Sequence, residues 1–308
     1  MIDIATVGWL TMDDIVLVDH SCRPGVLGGG ALYSAIGAQI WSDGVGVHSV
    51  TGRDVYENVR ARIASRGLDG EGIGVIDGAG LQLWLLHESE TFKRQVPKLT
   101  SATAEDMDRG RGPLPEAYRS ARGFHVAPQS PAGTTENVRM LSELHHRPVV
   151  TVDILSDEYI DRRLYADFDF LRGTSAFLPS EQEIMRIWDP PDIGAWLRET
   201  ASRLKCHMAA KLGERGSLVC DAESGVLIHT PAHPVAVVDT TGAGDGYCGG
   251  FVAGLAAGRP LAECAAMGAV SASYVIEACG AIETQRPSRA ARQGRLQRVL
   301  AETRYENP

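Results

Sequence analysis

The chain has 308 residues, 44% hydrophobic and 22% charged, the composition of an ordinary globular protein with enough apolar side chains for a large core. A formal net charge of −9 excludes a broad nucleic-acid surface, and no uninterrupted apolar run approaches the ~20 residues of a membrane-crossing helix. The six cysteines contain no C-x-x-C pair, which argues against zinc, and the opening MIDIATVGWL has no basic stretch before its apolar run, so a reduced cytoplasmic setting is expected.

In chain order, IDIATVG (2–8) reads as a first strand, and DDIVLVD (13–19) follows it with β-rich composition and no helix between. GGALYSAIGAQIW (29–41) is a small-residue helix and VGVHSV (45–50) a second strand. DVYENVRARIASRG (54–67) places Val55, Val59, Arg62 and Ile63 at helical intervals, with Gly67 as its stop. LQLWLLHE (81–88) and TFKRQVPKL (91–99) are again β-rich without an intervening helix. Together with 13–19 they are expected to form a small antiparallel flap that closes over a ligand.

FHVA (124–127), PVVTVD (148–153) and CHMAAKL (206–212) are further strands separated by helical stretches. This alternation predicts an α/β fold with a mostly parallel central sheet and helices on both faces. A single domain over 1–308 is expected, with the β lid formed by about 11–25 and 78–100. The basic tail from Arg286 to Arg304 reads as a solvated helix, and most of the cysteines as small buried apolar side chains.

The most informative stretch is DTTGAGDGYCGGFVAGL (239–255). Gly242 and Gly244 let the backbone come close to a ligand, and the apolar positions 247, 248, 251, 252 and 255 mark a helical face directly after them. The amides of 242–244 then lie at a helix N-terminus, unpaired and suited to an anion such as phosphate. Asp245 in that place makes sense if it faces a hydroxyl while the amides hold the negative group, the arrangement for phosphoryl transfer. An ordinary carboxylate at a helix start is the bland alternative. A P-loop is excluded, because the chain contains no Gly-Lys pair, and VLGGGAL (26–32) is too loose for a dinucleotide fingerprint.

DTTGAGD followed by a small-residue helix resembles the second signature of the ribokinase / PfkB carbohydrate-kinase family, and the resemblance runs in order along nearly the whole chain. Gly8 with Asp13 is similar to the family's first strand and substrate-binding aspartate. GGGALYSA (28–35) resembles its first glycine signature, TGRD (51–54) the G-x-D after it, PSEQE (179–183) the N-x-x-E motif, and KLGERG (211–216) the glycine turn along the nucleotide.

The resemblance implies a ribokinase-like fold and an ATP-dependent phosphotransferase acting on a hydroxyl of a sugar, polyol or sugar derivative. Asp245 is then the base, with Gly242, Ala243 and Gly244 as the anion hole. Asp13, Gly28 and Gly29 hold substrate hydroxyls; Ser180, Lys211, Gly213 and Gly216 lie along the nucleotide; and Glu183 acts on Mg2+ through water. Asp239 and Thr241 match positions that help bind a monovalent cation such as K+, with the rest of that site near Ala278–Ala281. Pairing of two copies through the lid is implied as well.

Three positions depart from the family pattern. Tyr33 replaces an Asn and adds a flat wall to the substrate pocket, Ser180 replaces the Asn of N-x-x-E, and Gln129 stands where ribokinases carry a substrate-contacting Glu. Ribose itself is therefore in question, while the transfer machinery is intact. A nucleoside kinase is the nearest alternative, with Tyr33, Trp9 and Trp84 available to stack on a base. A phosphorylated sugar calls for a basic cluster, for which Arg53, Lys93 and Arg94 are available. A ligand-binding protein without catalysis is the alternative from another class, and intact Asp245 and glycines argue against it.

Overall fold

A computed structural model of the chain describes residues 1–89, 93–155 and 161–308; the start of the expected 91–99 run lies outside them. From β1 (Ile4–Val7) the chain makes an excursion through β2 (Thr11–Val16) and β3 (Cys22–Gly28). It returns by α1 (Gly30–Gln39), β4 (Val45–Gly52), α2 (Tyr56–Ser65) and β5 (Ile73–Ile76). A second excursion, β6 (Gln82–His87) and β7 (Lys93–Pro97), precedes α3 (Ala104–Gly110), β8 (Gly123–Val126), α4 (Pro131–Ser142) and β9 (Val149–Val152). Then come β10 (Ala176–Phe177), α5 (Glu181–Ile187), α6 (Ile193–Leu204), β11 (His207–Lys211), β12 (Ser217–Cys220) and β13 (Leu227–Thr230). The chain closes with α7 (Ala243–Ala256), α8 (Leu261–Val275), α9 (Arg289–Glu302) and β14 (Arg304–Glu306).

Among the described residues, ten strands form one sheet in the order β14-β13-β12-β11-β10-β9-β8-β1-β4-β5. It is parallel from β5 to β11 and antiparallel beyond. β1, β4 and β8 are buried along their whole length, which explains why they read as continuous apolar runs rather than alternating ones. One face packs against α4, α5 and α6, the other against α1, α2, α7, α8 and α9. α9 is amphipathic: it carries the basic tail, but Leu296 and Val299 are buried in the second core, so the expected fully solvated helix is corrected. The chain steps one way through β1, β4 and β5 and the other way through β8 to β11. The carboxyl ends of β1 and β8 therefore bound a crevice, where ligands bind in open α/β sheets.

The two excursions form a separate four-stranded sheet, β3-β2-β6-β7. It differs from the all-antiparallel flap expected, since β2 and β6 pair in parallel, Met12–Val16 beside Gln82–Leu86. Main-sheet parallelism is the cause. β1 and β5 end at the same edge of the sheet, so the strands that continue from them enter the lid in the same direction.

Candidate active site

The end of the cleft expected to bind an anion is built by backbone. Gly242 begins α7 with φ 75, a left-handed conformation that favours glycine, and a Cβ added there would run into the Tyr33 ring. α7 meets its neighbours just as closely. A Cβ on Gly249 would overlap the Ser34 carbonyl, and one on Gly37 the carbonyl of Gly246. The small residues of GGALYSAIGA and GDGYCGG thus let two helices touch backbone to backbone. In the turn itself the Ala243 amide donates to the Thr240 carbonyl at 3.2 Å, which corrects the expectation that all three amides of 242–244 are unpaired.

Asp245 lies in the first turn of α7 and faces the start of α1, where a Cβ on Gly30 would sit 2.9 Å from its Oδ1. That oxygen is buried and has no hydrogen-bond partner among the described residues. Burial pushes the carboxyl above its ordinary range, Lys211 and Lys93 pull it back, and Glu183 adds to the rise. A buried, unsatisfied carboxylate oxygen costs stability unless a ligand hydroxyl completes it. A raised pKa is also what a general base working near neutrality requires.

Lys211 ends β11 beside this turn, with Nζ 3.4 Å from where a Cβ on Gly244 would stand. Its ammonium is ion-paired with Asp153, directly after β9, and this pair holds the lysine well above its ordinary pKa. Asp153 also accepts from the Ile154 amide at 2.9 Å. Ser180 caps α5 reciprocally with Glu183: the Ser180 amide donates to Glu183 Oε2 at 2.6 Å, and the Glu183 amide to Ser180 Oγ at 3.2 Å. Burial, then the negative Asp153, raises the Glu183 carboxyl to about 7. Gly213 and Gly216 shape the turn from β11 to β12, and Gly213 borders open space. No group of three or more His, Cys, Asp or Glu gathers into a metal cage among the described residues. Mg2+ does not need one, since it keeps several waters and takes one or two carboxylates with phosphate oxygens, a role open to Glu183.

The lid contributes its inner face. In β2 burial alternates, with Thr11, Asp13 and Ile15 inward and Asp14 outward. Asp13 Oδ2 accepts from Thr11 Oγ1 at 2.8 Å, and its Oδ1 is buried without a hydrogen-bond partner among the described residues. Burial raises this carboxyl to about 7, against Thr11, Lys93 and Lys98. Gly28 leaves room beside it, for a Cβ there would meet Asp13 Oδ2. From β6 and β7, His87 and Lys93 reach the turn before α7. Lys93 Nζ lies 3.4 Å from Thr241 Oγ1, and His87 Nε2 lies 3.4 Å from the same oxygen and 3.5 Å from Asp239 Oδ1. Asp239 also caps the Thr241 amide at 2.8 Å, and its Oδ2 is buried without a hydrogen-bond partner among the described residues.

The remaining expectations divide. Gln129 follows β8 but is fully buried, its Oε1 accepting from Arg111 at 2.6 Å and from Asn137 at 3.4 Å. The Tyr33 ring is buried against Gly242, so it supports the anion turn rather than forming an open wall. Trp9 is buried and donates to Asp108 at 2.9 Å; Trp84 lies on the outer face of the lid, under Lys98 at 4.8 Å. Arg53 and Arg94 are exposed and paired with Asp77 and Glu88, so they do not join Lys93 in a cluster. Asp153, His87 and Arg111 were not foreseen. Only Asp153 had a signal, an acid at the carboxyl end of a parallel strand.

A carboxylate in the first turn of a glycine-led helix, beneath a lid, is the arrangement expected of a kinase of small hydroxyl compounds. The chain belongs to the pfkB family carbohydrate kinases, whose family model matches residues 25–289. It is a phosphotransferase acting on a sugar or nucleoside hydroxyl. A relative 30% identical over 293 residues, covering 91% of this chain and 98% of the other, is the cytidine kinase of Thermococcus kodakarensis. Among solved structures, the Burkholderia thailandensis nucleoside kinase in complex with inosine has a TM-score of 0.76 at 16% identity, covering 99% of this chain and 100% of that one. The Cryptococcus neoformans ribokinase in complex with ADP has a TM-score of 0.74 at 18% identity, covering 96% and 100%. These likenesses establish a ribokinase-type fold.

Proposed function

We propose that this kinase transfers the γ-phosphoryl group of Mg-ATP to a hydroxyl of a sugar-like compound held by Asp13 and the Gly28–Gly29 backbone, with Asp245 as the base. One observation carries the reading: an Asp245 oxygen is buried without a hydrogen-bond partner among the described residues, in the first turn of α7, where Lys211 also comes close. The acceptor proton passes to Asp245, the new O–P bond forms as the bond to ADP breaks, and the amides of 242–244 stabilise the moving charge. Glu183 acts on Mg2+ through water, and Ser180, Gly213 and Gly216 line the nucleotide. A monovalent cation such as K+ at Asp239 and Thr241 belongs to the same reading, supported by the unpartnered Asp239 Oδ2. So do a cytoplasmic setting, where ATP is available, and pairing of two copies through the outer lid face, where Trp84 and Val96 are exposed.

The full-length relation to a cytidine kinase favours a nucleoside as acceptor over a free sugar. The test is ATP consumption against sugars, polyols, sugar acids and nucleosides, with and without K+, run beside Asp245→Asn. Turnover with cytidine but not with ribose selects the nucleoside, and the reverse selects the sugar. A folded chain that fails to bind Mg-ATP overturns both. Sedimentation of wild type and Trp84→Ser tests the lid pairing.

A further inference from the structure

Beside the cleft the chain buries an amide, Gln129, whose polarity is fixed by its neighbours. The two ends of a carboxamide have nearly the same shape, so the partners decide which is oxygen. Arg111 offers donors only, and its Nη2 donates to Gln129 Oε1 at 2.6 Å. Asn137 Nδ2 donates to the same oxygen at 3.4 Å and to the Gly133 carbonyl at 2.6 Å, so that end of Asn137 is the donor too. The Gln129 oxygen is thereby satisfied twice. Its Nε2, with two hydrogens to give, is buried without a hydrogen-bond partner among the described residues.

Gln129 lies between the proposed base and the root of the lid. Pro128, before it, has Cδ 3.0 Å from where a Cβ on Gly30 would stand, the point that lies 2.9 Å from Asp245 Oδ1. Ser130, after it, donates to Asp108. Asp108 also accepts at 2.9 Å from Trp9 Nε1, in the link from β1 to the lid strand that carries Asp13. Arg111 directly follows α3, and a Cβ on Gly74 of β5 would overlap the Gly110 and Arg111 carbonyls, so this helix end is pinned to the main sheet. Arg111 is 6% exposed, with Asp108 Oδ1 3.5 Å from its Nη2. A guanidinium held in this way cannot turn aside. Reversing the Gln129 amide would press NH2 against it, at the cost of a buried donor facing a donor.

Asp13 Oδ1 and Asp245 Oδ1 are likewise buried without partners among the described residues. Those carboxylate oxygens call for ligand hydroxyls, whereas the Gln129 NH2 calls for a lone pair. A hydroxyl can serve either kind of group. An oxygen or nitrogen that carries no proton can serve only the amide, and a carboxylate in that place would repel it.

We propose that Arg111 is a positioning residue that sets acceptor specificity: by holding Gln129 Oε1 it presents the NH2 to the substrate, which offers it a proton-free acceptor such as a nucleobase carbonyl or a sugar-acid carboxylate. This rests on the kinase reading above and narrows its substrate class.

The test measures kcat/KM and, by calorimetry, affinity for two pairs of compounds, cytidine with ribose and gluconate with glucitol. The first member of each pair carries a proton-free acceptor that the second lacks. Wild type is compared with Gln129→Glu, Arg111→Met and Arg111→Lys, with melting temperatures followed. Wild type prefers the first member of one pair, and which pair it is separates the nucleobase from the sugar acid. Gln129→Glu lowers that preference by about 100-fold, through loss on the first member alone. Arg111→Met frees the amide to turn and lowers it by about tenfold, while Arg111→Lys, also a donor only, restores most of it. An unchanged preference in both Gln129→Glu and Arg111→Met overturns the proposal. Equal loss on both members of a pair with a lower melting temperature also overturns it, since Arg111 then only packs. So does a wild type that favours the first member of neither pair in turnover or in binding. If wild type binds with the expected preference but transfers no phosphate, the kinase reading fails by itself, and the variants' affinities decide on Arg111.

Discussion

The two walls of the cleft are made in different ways. Beneath the ligand space, α1 and α7 meet through glycine and alanine, and the 242–244 turn is fixed by backbone contact and one left-handed glycine. Above it, the lid is a thin sheet placed by strand register, and polar side chains, His87 and Lys93 on Thr241 and Asp239, tie it to the turn. One wall is rigid because nothing in it has room to move. The other is held by a few exchangeable contacts, as expected of an element that opens for substrate. The proposed chemistry joins them, with the α7 amides and Asp245 below and Asp13 above.

Substitutions in the lower wall should be the more damaging. Asp245→Asn removes the proposed base without changing shape, and kcat should fall by about 10²–10⁴-fold with nucleotide affinity retained, measured by steady-state kinetics and calorimetry. A variant keeping more than a tenth of the wild-type rate would show that the carboxylate only starts a helix. Gly242→Ala asks a side chain to adopt φ 75 and to share space with the Tyr33 ring. A loss of roughly 2–4 kcal/mol in urea unfolding is expected from the left-handed conformation and the overpacking together.

The pH profile sharpens the comparison from the upper wall. The Asp13 carboxyl is raised to about 7 by burial, so in the free enzyme it is protonated below that pH and a weaker acceptor for a substrate hydroxyl than the carboxylate. kcat/KM for the acceptor should rise through pH 7 and level off above it, and each unit below should cost up to about tenfold. The same raised pKa works against folding at higher pH: stability from the neutral carboxyl is fully present below about 3.8 and is lost as pH rises through about 7. Asp13→Asn should flatten this part of the stability profile.

The smallest effect is expected on the outer lid face. Lys98 pairs with Asp14 at 2.6 Å and lies over Trp84, with both charged side chains 17% exposed. Lys98→Ala should cost about 0.5–1 kcal/mol and leave kcat near wild type. A large loss of kcat would show that the lid's outer packing, and not only its inner face, sets the position of Asp13.

Much of this protein was legible one segment at a time. Strand–helix alternation announced the parallel sheet, because strands buried on both faces must be apolar throughout. DTTGAGD announced the anion turn, because a glycine that opens a helix constrains only its immediate neighbours. Where the reading went astray, the cause was remote. The lid's parallel pair follows from the direction of two main-sheet strands, and the burial of Leu296 and Val299 needed a partner surface to exist.

Local backbone chemistry is thus what the sequence by itself determined: the turn, the carboxylate in the first helical turn after it, the small-residue helices and the family they signal. Tertiary structure alone decided which charges meet. Asp153 reaches Lys211 across 58 residues and Lys93 reaches Thr241 across 148, both through strand order and register. Arg111 turns the Gln129 amide by offering it only donors. A backbone conformation is set by a few adjacent residues and leaves a pattern in them, whereas the meeting of two side chains depends on every element packed between them and leaves none.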